Sequence, residues 1–434
     1  MKTILFVKVK KETTLANIIA LIAVPMTSVA AGAYTNANMP YLLQSEDHFS
    51  IPFDNVGTYT GRVLFYALVV STFMTPLFGY AYDLFGRKWI IIPAFFIVAS
   101  QMALLPHSAP SFWLLCVFRG IMVCSARLIH VNPLILDYVK SESRGLGMAI
   151  ASLGLVFGEL IMVMMFAATR QLTMAQQYWV PASLVATISL TLIFLVREPK
   201  IKLSEPDSQA VEHSAVELTL REKTVKITNE VYSECVKRPK YIFCFICLLV
   251  SRLISVLFSV YMQLWVMSFQ KTGVLENKEM SDAIYRNVII WSQIVTLLTV
   301  PFFGFYSDRL DSRVIIPISF LMRGIIAASF RFIDDPSHWY GYTACILIII
   351  VSQIQFISVE VLFLRNMSGH IRGTLSGIAF FFGSFGTAIF TLVGGILFDK
   401  VGSWAPFMMV AGADFLVLIF CLVFIGCGLI DRND

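Results

Sequence analysis

Ionisable side chains set inside long apolar runs are the residues of this sequence that could do chemistry. Arg119, Arg127 and His130 lie in FWLLCVFRGIMVCSARLIH, Glu159 in GLVFGELIM, Arg252 in LLVSRLISV, Glu360 in ISVEVLF and Asp414 in AGADFL. A charge in hydrocarbon costs at least ~2.5–3.5 kcal/mol even on insertion scales, so it is seldom idle. Arg127 and Arg252 fall near the middle of their runs. Two guanidinium groups facing one cavity would hold a carboxylate or phosphate through bidentate contacts. Glu159 falls near the depth of Arg127. It either forms a buried pair with that arginine or takes up a coupling proton or cation, and Asp414 and Glu360 are further candidates for ion coupling. His130 reads as a satisfied polar side chain more readily than as a proton relay.

Other chemistries lack their residues. Seven of the eight cysteines (Cys116, Cys124, Cys244, Cys247, Cys345, Cys421 and Cys427) lie in apolar runs. Cys244 and Cys247 have CxxC spacing without a second pair, so packing is the better reading than metal or redox work. No metal cluster and no Gly-x4-Gly-Lys-Ser/Thr loop occurs, so neither a cofactor, a metal nor direct ATP drive is expected. His130 has no partner acid at the bilayer surface, and an enzyme is not expected.

The elements that must position these charges follow from composition. The chain has 434 residues, 57% of them hydrophobic and 14% charged, against about 45–50% apolar and about 25% charged in a soluble domain. A mean hydropathy of +0.75 points the same way. A bilayer is the solvent that suits such a chain. Runs of about 20 apolar residues cross it as helices, because backbone groups in lipid must bond within the segment. The sequence predicts twelve spans, at 15–43, 61–82, 89–105, 111–137, 146–168, 178–196, 241–267, 287–305, 314–333, 339–364, 373–398 and 404–427.

The polar stretch between Arg197 and Lys240 divides the chain into residues 1–197, a linker 198–240 and residues 241–434. Lys and Arg concentrate on one side of the spans, in the N-terminal segment, the linker and the loops near Arg87, Arg144, Arg309 and Arg365. The other side holds only Arg170, Lys271, Lys278, Arg286 and Lys400. The positive-inside rule then puts both termini in the cytoplasm. The net charge of +5 reads as orientation signals rather than nucleic-acid affinity.

The two groups of six spans resemble each other. TPLFGYAYDLFGRKWIIIP after the second span matches VPFFGFYSDRLDSRVIIP after the eighth, with Pro76, Phe78, Gly79 and Asp83 opposite Pro301, Phe303, Gly304 and Asp308, and Lys88 opposite Arg313. Arg144-Gly145 after the fourth span matches Arg372-Gly373 after the tenth. On these motifs the chain resembles the major facilitator superfamily, whose loop signature is Gly-x-x-x-Asp-Arg-x-Gly-Arg-Arg. Gly79, Asp83, Gly86, Arg87 and Lys88 follow it, with Leu84 in place of Arg. The second copy keeps Gly304, Asp308, Arg309 and Arg313, but Asp311 and Ser312 replace the Gly-Arg pair. Arg119-Gly120 matches the family's fourth-helix arginine, for which a structural role is the alternative.

The resemblance implies an all-α membrane fold of two pseudo-symmetric six-helix bundles. Substrate would sit between them along the first, fourth, seventh and tenth helices. Helical periodicity gives each of these a polar stripe: Thr27, Ala31, Tyr34 and Asn38; Arg119, His130 and Asp137, with Arg127 to one side; Arg252, Ser259 and Gln263; Gln353 and Glu360. At the cytoplasmic face, pairs Arg87–Asp137 and Asp308–Arg365 would close a gate. The expectation is a monomeric secondary transporter of a small organic anion, facilitative or coupled to a proton or cation. A neutral sugar-like or drug-like solute, or a non-transporting receptor or scaffold of the same fold, are the alternatives.

Overall fold

A computed structural model describes residues 3–4, 7–10, 13–85, 87–129, 134–135, 138–140, 144–196, 233, 238–275, 277–307, 311–365 and 372–429. Only the backbone is described at 3–4, 7, 76–85, 87, 144–146, 148–149, 278, 300–307, 361, 364–365, 372–374 and 376. The helices before the linker are α1 (Leu15–Gln44), α2 (Phe53–Phe85), α3 (Arg87–Leu104), α4 (Phe112–Arg127), α5 (Arg144–Thr169) and α6 (Met174–Leu195). After it come α7a (Lys240–Ser251), α7b (Met262–Lys271), α8 (Lys278–Ser307), α9 (Ser312–Ser329), α10 (Trp339–Arg365), α11 (Arg372–Lys400) and α12 (Ala405–Gly426). Among the described residues, nine segments are by themselves long and apolar enough to cross a membrane, one of them Lys240–Lys271, which holds both α7a and α7b. The rest of the twelve-span set is α2, α4 and α8. Outward-facing Phe73, Met164, Phe194 and Leu416 give a surface that suits lipid.

Two differences from the sequence reading are physical. The second helix begins at Phe53, eight residues before the expected span, because its first two turns pack against another helix rather than lipid and so need not be apolar. The seventh span is interrupted where an unbroken helix was expected: the backbone turns at Arg252 and Leu253, then passes through a π-helical turn at Leu257–Tyr261. The fourth helix is described to Arg127; its expected continuation to Asp137 falls largely outside the described residues.

Many hydroxyls inside the helices are satisfied locally. Thr27 and Ser292 hydroxyls donate to carbonyls one turn back, at 2.8 and 2.6 Å. Glycines set the closest approaches, as small residues do where helices pack in lipid. A Cβ at Gly154 or Gly158 of α5 would strike the carbonyl oxygens of Ile22 and Met26 on α1.

A short hairpin of β1 (Thr3–Ile4) and β2 (Val7–Lys8) precedes α1. The strand continues into Val9, which bridges to Val139, with Lys10 N donating to Tyr138 O at 3.0 Å. This end of the molecule, carrying Thr14 and Gly426, is called the terminal face below. The end carrying Gln44, Phe53 and Lys271 is the far face.

Candidate functional site

The interruption of the seventh span positions Arg252. A lapse in helical bonding leaves carbonyls without their usual donors. Arg252 donates from Nη2 to Glu360 Oε1 of α10 at 3.0 Å. Its guanidinium stands 4.2 Å from the ring centre of Phe380 and 5.7 Å from that of Phe356. Gly383 leaves room for the arginine stem, since a Cβ there would overlap Arg252 Cδ. Arg127, at the end of α4, is half-buried and forms no ion pair among the described residues. It lies within electrostatic reach of Arg252 of the other helix group.

A second polar link runs from α4 to the π turn. Arg119 is buried and donates from Nη2 to Asn36 Oδ1, and Asn36 Nδ2 donates to Ser259 Oγ at 3.1 Å. Asn36 thus bridges an arginine of the first group to a hydroxyl of the second. The sequence stripe on α1 chose another face. Tyr34 turns into the first group, donating to Gln177 O at 2.6 Å and hydrogen-bonded to Thr169 at 2.8 Å. Asn38, beside it, is buried with neither amide atom hydrogen-bonded. Because α1 is enclosed on nearly every side, its periodicity carries little information. Proximity to a polar partner in the other group is what distinguishes Asn36, and no sequence pattern shows that.

The other sequence candidates are dispersed. Gln263 on α7b is buried beside Tyr41, and its amide also lacks a partner. Gln353 lines a shallow crevice with Ser152, Val156, Thr296 and Phe356 between α5, α8 and α10. Glu159 on α5 has one buried carboxyl oxygen without a hydrogen bond and lies near Tyr285 of α8. The expected Arg127–Glu159 pair does not form, because Glu159 faces α8 rather than α4. Asp414 is fully buried and bound to Arg323, with Arg323 Nε at 2.8 Å from Oδ2. Lys88 is half-buried at the start of α3, and Arg313 forks onto Asp311 at 2.9–3.3 Å. His130, Gly86, Asp137, Asp308 and the side chains of Asp83, Arg87, Arg144, Arg365 and Arg372 lie outside what is described, as does the packing around Gly79 and Gly304.

On the far face, ties that the sequence reading missed join the two groups. Asp399, near the end of α11, accepts from Gly57 N at 3.0 Å and Thr58 N at 2.6 Å in the second turn of α2. Asp282 of α8 accepts from the Tyr41 hydroxyl and from Arg170 Nε, the latter at 2.5 Å, while the Arg170 guanidinium stacks 3.7 Å over the Tyr41 ring. Lys271 pairs with Asp54, though both are exposed and such pairs are worth little. Between the first two ties, Gly57 and Gly61 of α2 lie directly against Gly395 and the Thr391 carbonyl of α11. The far face is closed.

Asp282→Asn keeps the shape of this tie but removes its charge. A charge-assisted hydrogen bond contributes ~1.5–3 kcal/mol, so the open fraction of the far face should rise roughly tenfold to a hundredfold. A single cysteine at buried Ser281, in otherwise cysteine-free purified protein, should react correspondingly faster with a polar maleimide. An unchanged rate would show that the glycine seam closes this face without Asp282.

Comparisons with known proteins bear on the fold. The magnetosome protein MamH of Paramagnetospirillum magneticum is 23% identical over 433 residues, covering 96% of this chain and 93% of MamH. The magnetosome protein MamZ of Magnetospirillum gryphiswaldense is 21% identical over 404 residues; the match covers 89% of this chain but only 59% of MamZ. Among solved structures, a D-xylose-proton symporter superposes with a TM-score of 0.72 at 12% identity, covering 96% of this chain and 98% of that one. The nucleoside transporter NupG superposes with a TM-score of 0.69 at 16% identity, covering 94% and 99%. The sequence profile of the Major Facilitator Superfamily matches residues 20–281, more than half of the chain. Interrupted seventh span, glycine-packed seams and paired loop motifs are therefore features of a chain that belongs to the Major Facilitator Superfamily.

Proposed function

We propose that this protein is a secondary transporter that moves a small organic anion across its membrane by alternating access. What supports the anion reading is a pair of arginines, one from each helix group, within electrostatic reach of each other. Among the described residues Arg127 has no acid partner, and Arg252 pairs with Glu360 only. Two guanidinium groups so placed match a carboxylate or phosphate, which would hold them together against their own repulsion. His130, Gln353 and the Asn36–Ser259 link would complete the lining. With the far face closed, solute would enter from the terminal face.

In this reading residues 1–197 and 241–434 are the two moving bundles and 198–240 the linker. The terminal face is cytoplasmic, as the excess of Lys and Arg there implies. Asp83, Arg87, Asp137, Asp308 and Arg365 form its gate, with Gly79, Gly86, Lys88, Arg144, Gly304, Arg313 and Arg372 shaping the loops. Glu159 takes up the coupling proton or cation, since it has no cationic partner among the described residues. Asp414, held by Arg323, is a poorer candidate for that task.

A second reading rests on Asn38 and Gln263, whose buried amides lack hydrogen bonds. They suit a neutral hydroxylated solute, and the structural neighbours include a xylose symporter and a nucleoside transporter. Thermal-shift screening of purified protein against carboxylates, phosphates, sugars and nucleosides, followed by uptake of each hit into proteoliposomes, separates the two. Stabilisation and uptake confined to anions supports the first reading; hits confined to sugars or nucleosides establish the second. Binding without uptake would leave a receptor of the same fold.

A further inference from the structure

Away from Arg127 and Arg252, α9 and α12 hold an ion pair with no solvent access. Arg323 of α9 forks onto Asp414 of α12, and both side chains are 0% exposed. Such a pair is weak evidence for stability, because apolar residues of similar volume often replace one at no cost. A third contact gives it another role. Arg323 Nη2 also donates to the Val250 carbonyl of α7a at 3.2 Å. Val250 lies just before the turn at Arg252 and Leu253. Its carbonyl takes a short-range bond from Leu253 N at 3.2 Å, in place of the regular bond one helical turn on.

We infer that Arg323 is a positioning residue: by holding the Val250 carbonyl, with Asp414 fixing its fork, it keeps the seventh span broken and so aims Arg252 and α7b. This rests on the reading of Arg252 as a solute-facing residue only for its consequence in transport; the geometry of the break is testable without any solute. The lever is long. From Leu253 to Lys271 the chain rises ~27 Å at ~1.5 Å per residue, so a change of ~15° at the break moves the far end by ~7 Å.

The test is the full-length protein in a cysteine-free background carrying Asp54→Cys and Lys271→Cys, two exposed positions in contact at the far face. A short bis-maleimide should link them efficiently. Arg323→Met with Asp414→Leu removes both charges together and should leave the thermal midpoint within a few degrees. Cross-linking should nevertheless be lost. A control pair, Asn55→Cys with Lys400→Cys, flanks the Gly57–Asp399 contact without involving α7b, and should link as before. Should the double variant fail to fold, Arg323→Lys serves: it keeps the charge beside Asp414 but cannot fork onto it and hold Val250 as well, and the same selective loss is expected. Unchanged linking of the first pair would reduce Arg323 and Asp414 to packing. Equal loss in both pairs would mean that they act on closure of the whole far face. Either result overturns the inference, and neither depends on which solute is carried.

Discussion

Leucine at position 61 should hold the protein open on its far face. Gly61 faces the Thr391 carbonyl so closely that even a Cβ overlaps it, and Gly57 touches Gly395 one turn away. Helices separated by ordinary side chains lie about 8–10 Å apart, so an isobutyl group cannot enter this seam without driving α2 from α11. The neighbour that would have to yield is backbone, which cannot rotate aside as a side chain does. The Asp399 bonds to α2 depend on the same approach and would be lost with it, each worth ~1.5–3 kcal/mol. Spin labels at Asn55 and Lys400 should move several ångströms further apart in Gly61→Leu, and uptake should fall to background because the cycle cannot pass through the far-closed state. Gly61→Ala should produce the same shift in a minor fraction of molecules. An unchanged distance distribution in the leucine variant would mean that this seam is not where the two groups separate.

The second large effect concerns the solute. Arg127→Gln should raise the Kd for an anionic solute roughly tenfold to a hundredfold, as expected for one lost charge-assisted contact of ~1.5–3 kcal/mol. Sequence reasoning makes Arg252 the cleaner site for such a test, on the expectation that Arg127 is tied to Glu159. The structure reverses that choice. Among the described residues Arg127 has no acid to strand, whereas Arg252→Gln leaves Glu360 uncompensated at 3.0 Å, so the Arg252→Gln, Glu360→Gln double variant must accompany it. Isothermal titration with whichever anion stabilises the wild-type protein reads both. A neutral solute should bind Arg127→Gln almost as well as wild type, and unaltered anion binding would remove Arg127 from the site.

How much of this was legible in the sequence depends on what kind of force sets each feature. The twelve spans, the membrane and the family were readable because bilayer burial acts on whole segments and the loop motifs recur in register; α1, expected at 15–43, runs from Leu15 to Gln44. The buried charges stood out for the same reason, since a charged residue is conspicuous in any apolar run. Their partners were not. Arg252 with Glu360, Arg323 with Asp414 and Arg119 with Asn36 are chosen by which helix faces meet, and helices buried on most sides leave no periodic trace of that. The far-face ties of Asp282 and Asp399 lie at helix ends, where a charged residue looks like any solvated loop residue until a second helix is brought against it. The sequence by itself determined that charges would be held within a two-group helical membrane protein. Only the tertiary structure decided which of them pair, that the seventh span is broken at Arg252, and which face is shut, because those outcomes rest on contacts of a few ångströms between segments far apart in the chain.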